Sequence, residues 1–167
     1  MSYKYITSLI VISFLSLPMS SIAEDVITVK TIGMDLARDL ASHAVISCRA
    51  QGYQASAVVV DRSGNVQAAL RGDLASRFTL QIAEEKANLV VLGGISSGEF
   101  RKARGDIRPE LNHIDGLLVL RGGLQISSGG YRVGAIGVSG APGGDKDEAC
   151  AAAALKKYND RIQFAAD

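Results

Sequence analysis

The sequence predicts an α/β domain of the α+β type, with a sheet of about five mainly antiparallel strands flanked by helices. Three observations predict it. Two amphipathic helix patterns bracket a β-hairpin signal. A glycine-rich apolar run, Leu117–Pro142, reads as further strands joined by a Ser-Ser-Gly-Gly turn. The resulting order, α-β-β-α-β-β-β-α, uses hairpins where a parallel sheet would need strict strand–helix alternation.

Each element has a local warrant. Residues from about Ile32 to Ala50 place Leu36, Ala37, Leu40, Ala41, Ala44, Val45 and Cys48 on one helical face, with Gly52 as a stop. Ala55–Asp61 is a β-branched run, Arg62-Ser63-Gly64-Asn65 a turn, and Val66–Arg71 the return strand. Asp61 at the strand end is expected to cap that turn as an Asx residue. Ala75 to about Leu92 forms the second helix, ending at Gly93-Gly94. Ile95–Asp115 is polar and arginine-rich and reads as irregular with short helical turns. Leu117–Arg121, Leu124–Ser127 and Tyr131–Ser139 are the remaining strands. The last helix spans about Lys146 to Asp160, with Asp145, Asp147 and Glu148 suited to the positive end of its dipole. Gly134 and Gly137 are expected to let that last helix, itself slim with alanines, pack closely on the sheet.

The first 23 residues form a segment of their own. Lys4 is followed by the apolar stretch Ile6 to Leu17, then Pro18 and the small-residue sequence Ser21-Ile22-Ala23. That is the pattern of a cleaved secretory signal. The apolar stretch is shorter than the roughly 20 residues of a spanning helix. Residues 24–167 then make one domain, expected in the periplasm or secreted, with no membrane span after cleavage. The net charge of +1 leaves no basic stripe for nucleic acid, and the absence of Trp, with 5% aromatics, argues against carbohydrate-stacking platforms.

No catalytic motif stands out. Ser139 lies in Gly137-Val138-Ser139-Gly140, which lacks the nucleophile-elbow spacing. No phosphate-binding glycine loop is present. His43, at the edge of the first helix's apolar face, is either a boundary histidine or a metal ligand, since imidazole suits iron. His113, before an apolar strand pattern, is either a loop histidine or a second ligand. Arg101, Arg104 and Arg108, with Lys102, form a cationic cluster that is either a solvated loop or a clamp for carboxylates. Cys48 and Cys150 are too few for a disulfide scaffold. One bridge between their helices and two buried free thiols both remain open.

Several segments together resemble the GlcG/HbpS haem-binding family, whose fold also forms the C-terminal domain of PduO-type proteins. They are Val58-Val59-Val60-Asp61 with Gly64, Leu70-Arg71-Gly72-Asp73, Ala83 to Ala87 around Lys86, Gly122-Gly123-Leu124-Gln125-Ile126, Val133–Gly140 and Asp147-Glu148-Ala149-Cys150-Ala151. The resemblance implies a homo-oligomer that binds haem. It makes His43 the first choice as iron ligand and His113 the second, with Arg101, Arg104 and Arg108 as candidate propionate partners. Sensing, storage or detoxification of haem would follow. The alternatives are an enzyme degrading haem or acting on a small hydroxy acid such as glycolate, and a sensory subunit acting with a sensor protein partner.

Overall fold

A computed structural model describes residues 26–164, so the expected signal segment lies outside the described residues. In chain order the elements are α1 (Met34–Ala50), β1 (Ser56–Asp61), β2 (Val66–Arg71), α2 (Phe78–Gly93), α3 (Ser97–Ala103), a 3-10 turn (Gly105–Ile107), α4 (Arg108–Leu111), β3 (Gly123–Ser128), β4 (Tyr131–Ser139), α5 (Gly144–Lys157) and α6 (Asn159–Phe164). The strands form one antiparallel sheet in the order β2-β1-β4-β3. Among the described residues no helix is long and apolar enough to cross a membrane.

The helices cover both faces, which explains why β1 and β4 read as nearly continuous apolar runs instead of alternating ones. Ala57, Val59, Ile136 and Val138 pack against α1 and α5 on one face. Val58, Val60 and Ala135 pack against Ala83, Ala87 and Val90 of α2 on the other. The end of α1 is set by a Schellman arrangement: the Tyr53 N–H donates to the Cys48 carbonyl and the Gly52 N–H to the Arg49 carbonyl. That geometry needs the positive φ of 85° at Gly52, which is why the helix stops there. Asp61 caps the hairpin turn as expected. Its Oδ1 accepts from the Ser63 and Asn65 N–H groups and its Oδ2 from the Asn65 side chain.

Three expectations need correction. The sheet has four strands, because Leu117–Arg121 pairs with no ladder. Its apolar residues signal burial instead: Val119 packs with Leu89, Phe100 and Leu111 in a separate small cluster. The last helical stretch is two helices, α5 and α6, divided at Tyr158. Finally, neither Gly134 nor Gly137 receives the last helix: Gly134 faces the Val60 carbonyl of β1 and the Ile32 side chain, and Gly137 receives α2. A Cβ at Gly137 would lie 1.9 Å from the Ala83 carbonyl oxygen, and one at Gly123 would lie 2.4 Å from that of Lys86. The helix backbone therefore sits directly on β3 and β4. The alanines of α5 instead meet those of α1, where Cys48 and Cys150 form a disulfide with a Cα–Cα distance of 5.4 Å.

Candidate functional site

A cleft lies where β4 ends and α5 begins. Lys86 occupies the sheet-facing side of α2, with Ala83 and Val90 at helical spacing, and is only 3% exposed. A lysine buried on an apolar helix face needs a partner for its charge. Its Nζ donates to Asp147 Oδ2 at 2.8 Å and to the Val138 carbonyl at 3.0 Å. Asp147, in the first turn of α5 and equally buried, uses its second oxygen to accept from the Ala141 N–H at 2.9 Å. One ion pair thus ties α2, β4 and α5 together. Gly122 makes room for it, since a Cβ there would stand 2.9 Å from Lys86 Nζ.

The cleft over this pair measures about 590 Å³, and Ile82, Leu120, Pro142, Arg101, Arg121 and Asp145 complete much of its wall. Arg121 donates to Glu148 Oε1 at 2.6 Å, and that carboxylate raises the arginine's pKa further. Arg121 Nε and Glu148 Oε2 are buried with no hydrogen-bond partner among the described residues. Arg101, exposed in the last turn of α3, faces the cleft with no partner among the described residues.

The remaining residues singled out from the sequence lie apart. Arg104 pairs with Asp106, Arg108 opens α4, and His113 is exposed in the turn after α4. His43 is half-buried on α1 at the far end of α5, where its ring meets Tyr158 edge-on at 6.0 Å. The Arg161 guanidinium lies 5.5 Å from the Tyr158 ring centre and pairs with Asp39, one turn before His43. α5 has 14 residues and therefore separates His43 from Arg101 by roughly 20 Å. The histidine and the three arginines do not form one constellation. Among the described residues no group of three or more His, Cys, Asp or Glu side chains is arranged to hold a metal ion.

Lys86, Asp147 and Glu148 stand out in the sequence, but nothing local marks the partner of any of them. The available signal was the lone lysine between Ala83, Ala87 and Val90.

A family model described as haem-degrading, HbpS-like protein matches residues 32–156. No curated protein matches the chain. Among solved structures, a crystal structure of HbpS is 34% identical, covering 80% of this chain and 94% of that one with a TM-score of 0.75. A double mutant of Streptomyces reticuli HbpS is 32% identical, covering 85% and 97% with a TM-score of 0.75. A PduOC:heme complex, at 20% identity, shares the fold over 75% of this chain and 94% of that one, with a TM-score of 0.66. Matched over most of its length by the family model and at 34% identity to HbpS, the chain belongs to the HbpS-like, haem-related family.

Proposed function

We propose that this protein is an exported haem-binding protein and that His43 is its iron ligand. The observation that carries the reading is the family match across residues 32–156. The residues at the far end of α5 fit the group. Neither ring nitrogen of His43 has a hydrogen-bond partner among the described residues, so a lone pair is free to ligate. Ile46, one turn on and 52% exposed, offers an apolar surface to a porphyrin face. Arg161, beside Tyr158, is a cation on this side able to receive a propionate, a role that Arg101, Arg104 and Arg108, roughly 20 Å away, do not fill for a haem on the same subunit's His43. The Cys48–Cys150 disulfide fits an oxidising compartment, which supports export. Bound haem would supply iron redox chemistry and a visible spectrum; His43 would hold it, and Arg161 would face its acidic edge.

Titrating the protein with haemin tests this reading. A saturable Soret shift at micromolar haem is expected. His43→Ala should weaken it at least about tenfold and change the ligation spectrum, while His113→Ala leaves both intact. A spectrum insensitive to His43→Ala, or no saturable shift at all, sinks the reading. Loss of the Soret band with release of iron on adding reductant would extend the activity to the haem degradation named in the family description.

A further inference from the structure

We propose that the cleft over Lys86 is a binding site for a small organic monocarboxylate, separate from the His43 end of the subunit. The site is built around a buried ammonium. Lys86 is 3% exposed and carries three N–H donors, of which the Asp147 carboxylate and the Val138 carbonyl take two. The third has no acceptor among the described residues, and Lys86 lines the cleft. Asp147 cannot serve it further, because its other oxygen is committed to the Ala141 N–H.

The other walls say what kind of acceptor belongs there. Arg101 faces the same space without a partner, and Arg121 brings a second guanidinium, held in place by Glu148. These donors call for an anion, and guanidinium groups favour the planar carboxylate. Lys86 is paired with Asp147 and Arg121 with Glu148, so Arg101 is the lining cation left without a carboxylate, and a single negative charge answers it. A second negative charge would meet the Asp145 carboxylate with no further unpaired cation in the lining. Ile82 and Leu120 give the ligand an apolar wall, and the volume of about 590 Å³ is in the range of small-molecule sites.

The carboxylate could belong to a free acid or be the propionate of a haem, and the experiment separates the two. Butyrate is titrated into the full domain by calorimetry, with butyramide as the uncharged counterpart. Butyrate should bind saturably and butyramide at least about tenfold more weakly. Arg101→Glu, at an exposed position that should leave the fold intact, should weaken butyrate by about tenfold. The pair Lys86→Met with Asp147→Leu removes both buried charges together and should abolish binding in a folded protein. Equal binding of butyrate and butyramide, or butyrate affinity unchanged by Arg101→Glu, overturns the proposal. Preloading with haemin should leave butyrate affinity unchanged; displacement of butyrate would overturn the separate site and give the cleft to a propionate. A missing Soret shift, by contrast, would remove the His43 reading and leave the butyrate result standing.

Discussion

The two ends of α5 solve opposite problems with the same helix. At its start, Asp147 is buried and fully engaged by Lys86 and the Ala141 N–H, so the charges there are part of what joins α2, β4 and α5. At its end, His43, Tyr158 and Arg161 touch through ring contacts and an exposed pair with Asp39, and no buried charge depends on them. The difference teaches where mutation should read out as stability and where as ligand binding alone. A buried pair is expensive to break and cheap to replace, whereas an exposed cluster is cheap in both senses.

The largest expected effect follows at the buried end. Lys86→Met leaves the buried Asp147 carboxylate without its counter-ion and should cost about 3–5 kcal/mol in urea denaturation. Adding Asp147→Leu should restore most of that loss. Were Lys86→Met as stable as the parent, the pair would not be the joint described, and the contrast between the ends would fail. Removing the Cys48–Cys150 link comes next. It closes a separation of 102 residues, so Cys48→Ala with Cys150→Ala should lower stability by about 3–4 kcal/mol. Since Cys150 lies one turn beyond Asp147 and Cys48 five residues beyond His43, the bridge stands between the two ends. Haemin and butyrate titrations at 25 °C should be unchanged in the folded double variant. Loss of only one of them would show that the bridge positions that end.

Most of the fold was legible because it rests on local signals. The apolar face of α1, the Gly52 stop, the Asp61 turn and the bounds of β2 and β4 all follow from periodicity and turn chemistry over short spans. Leu117–Arg121 misled because an apolar run reports burial and cannot by itself report a ladder. Gly134 and Gly137 of β4 are points of close approach as expected, yet what approaches is a non-local fact: β1 and Ile32 at the first, α2 at the second. α2 and α5 are both slim enough, and only the topology puts Ala83 over Gly137. The same limit governed the site. His43 and the arginines attract notice one residue at a time, but their placement at opposite ends of a 14-residue helix emerges only from the assembled layers. Lys86 and Asp147 lie 61 residues apart in the chain, and the burial that makes them partners has no local mark beyond a lysine among alanines.

The smallest expected effect probes the exposed end through Asp39. Hydrogen bonds from Arg161 first, and then from Arg38, hold its carboxyl below the usual carboxylate range, against a weaker opposing effect of desolvation. A group with a depressed folded-state pKa contributes stability above its unfolded value near 3.9, and loses it as pH falls through the lower folded value. Parent and Asp39→Asn should therefore differ by a constant small amount in thermal midpoint between pH 5 and pH 8. The gap should close only below about pH 4. If Arg161 receives a propionate, Asp39 competes for it, and Asp39→Asn should tighten haemin binding by about twofold at neutral pH. Butyrate binding at the other end of α5 should not move. Equal haemin affinity for the two proteins would take Arg161 out of the haem site while leaving His43 in it.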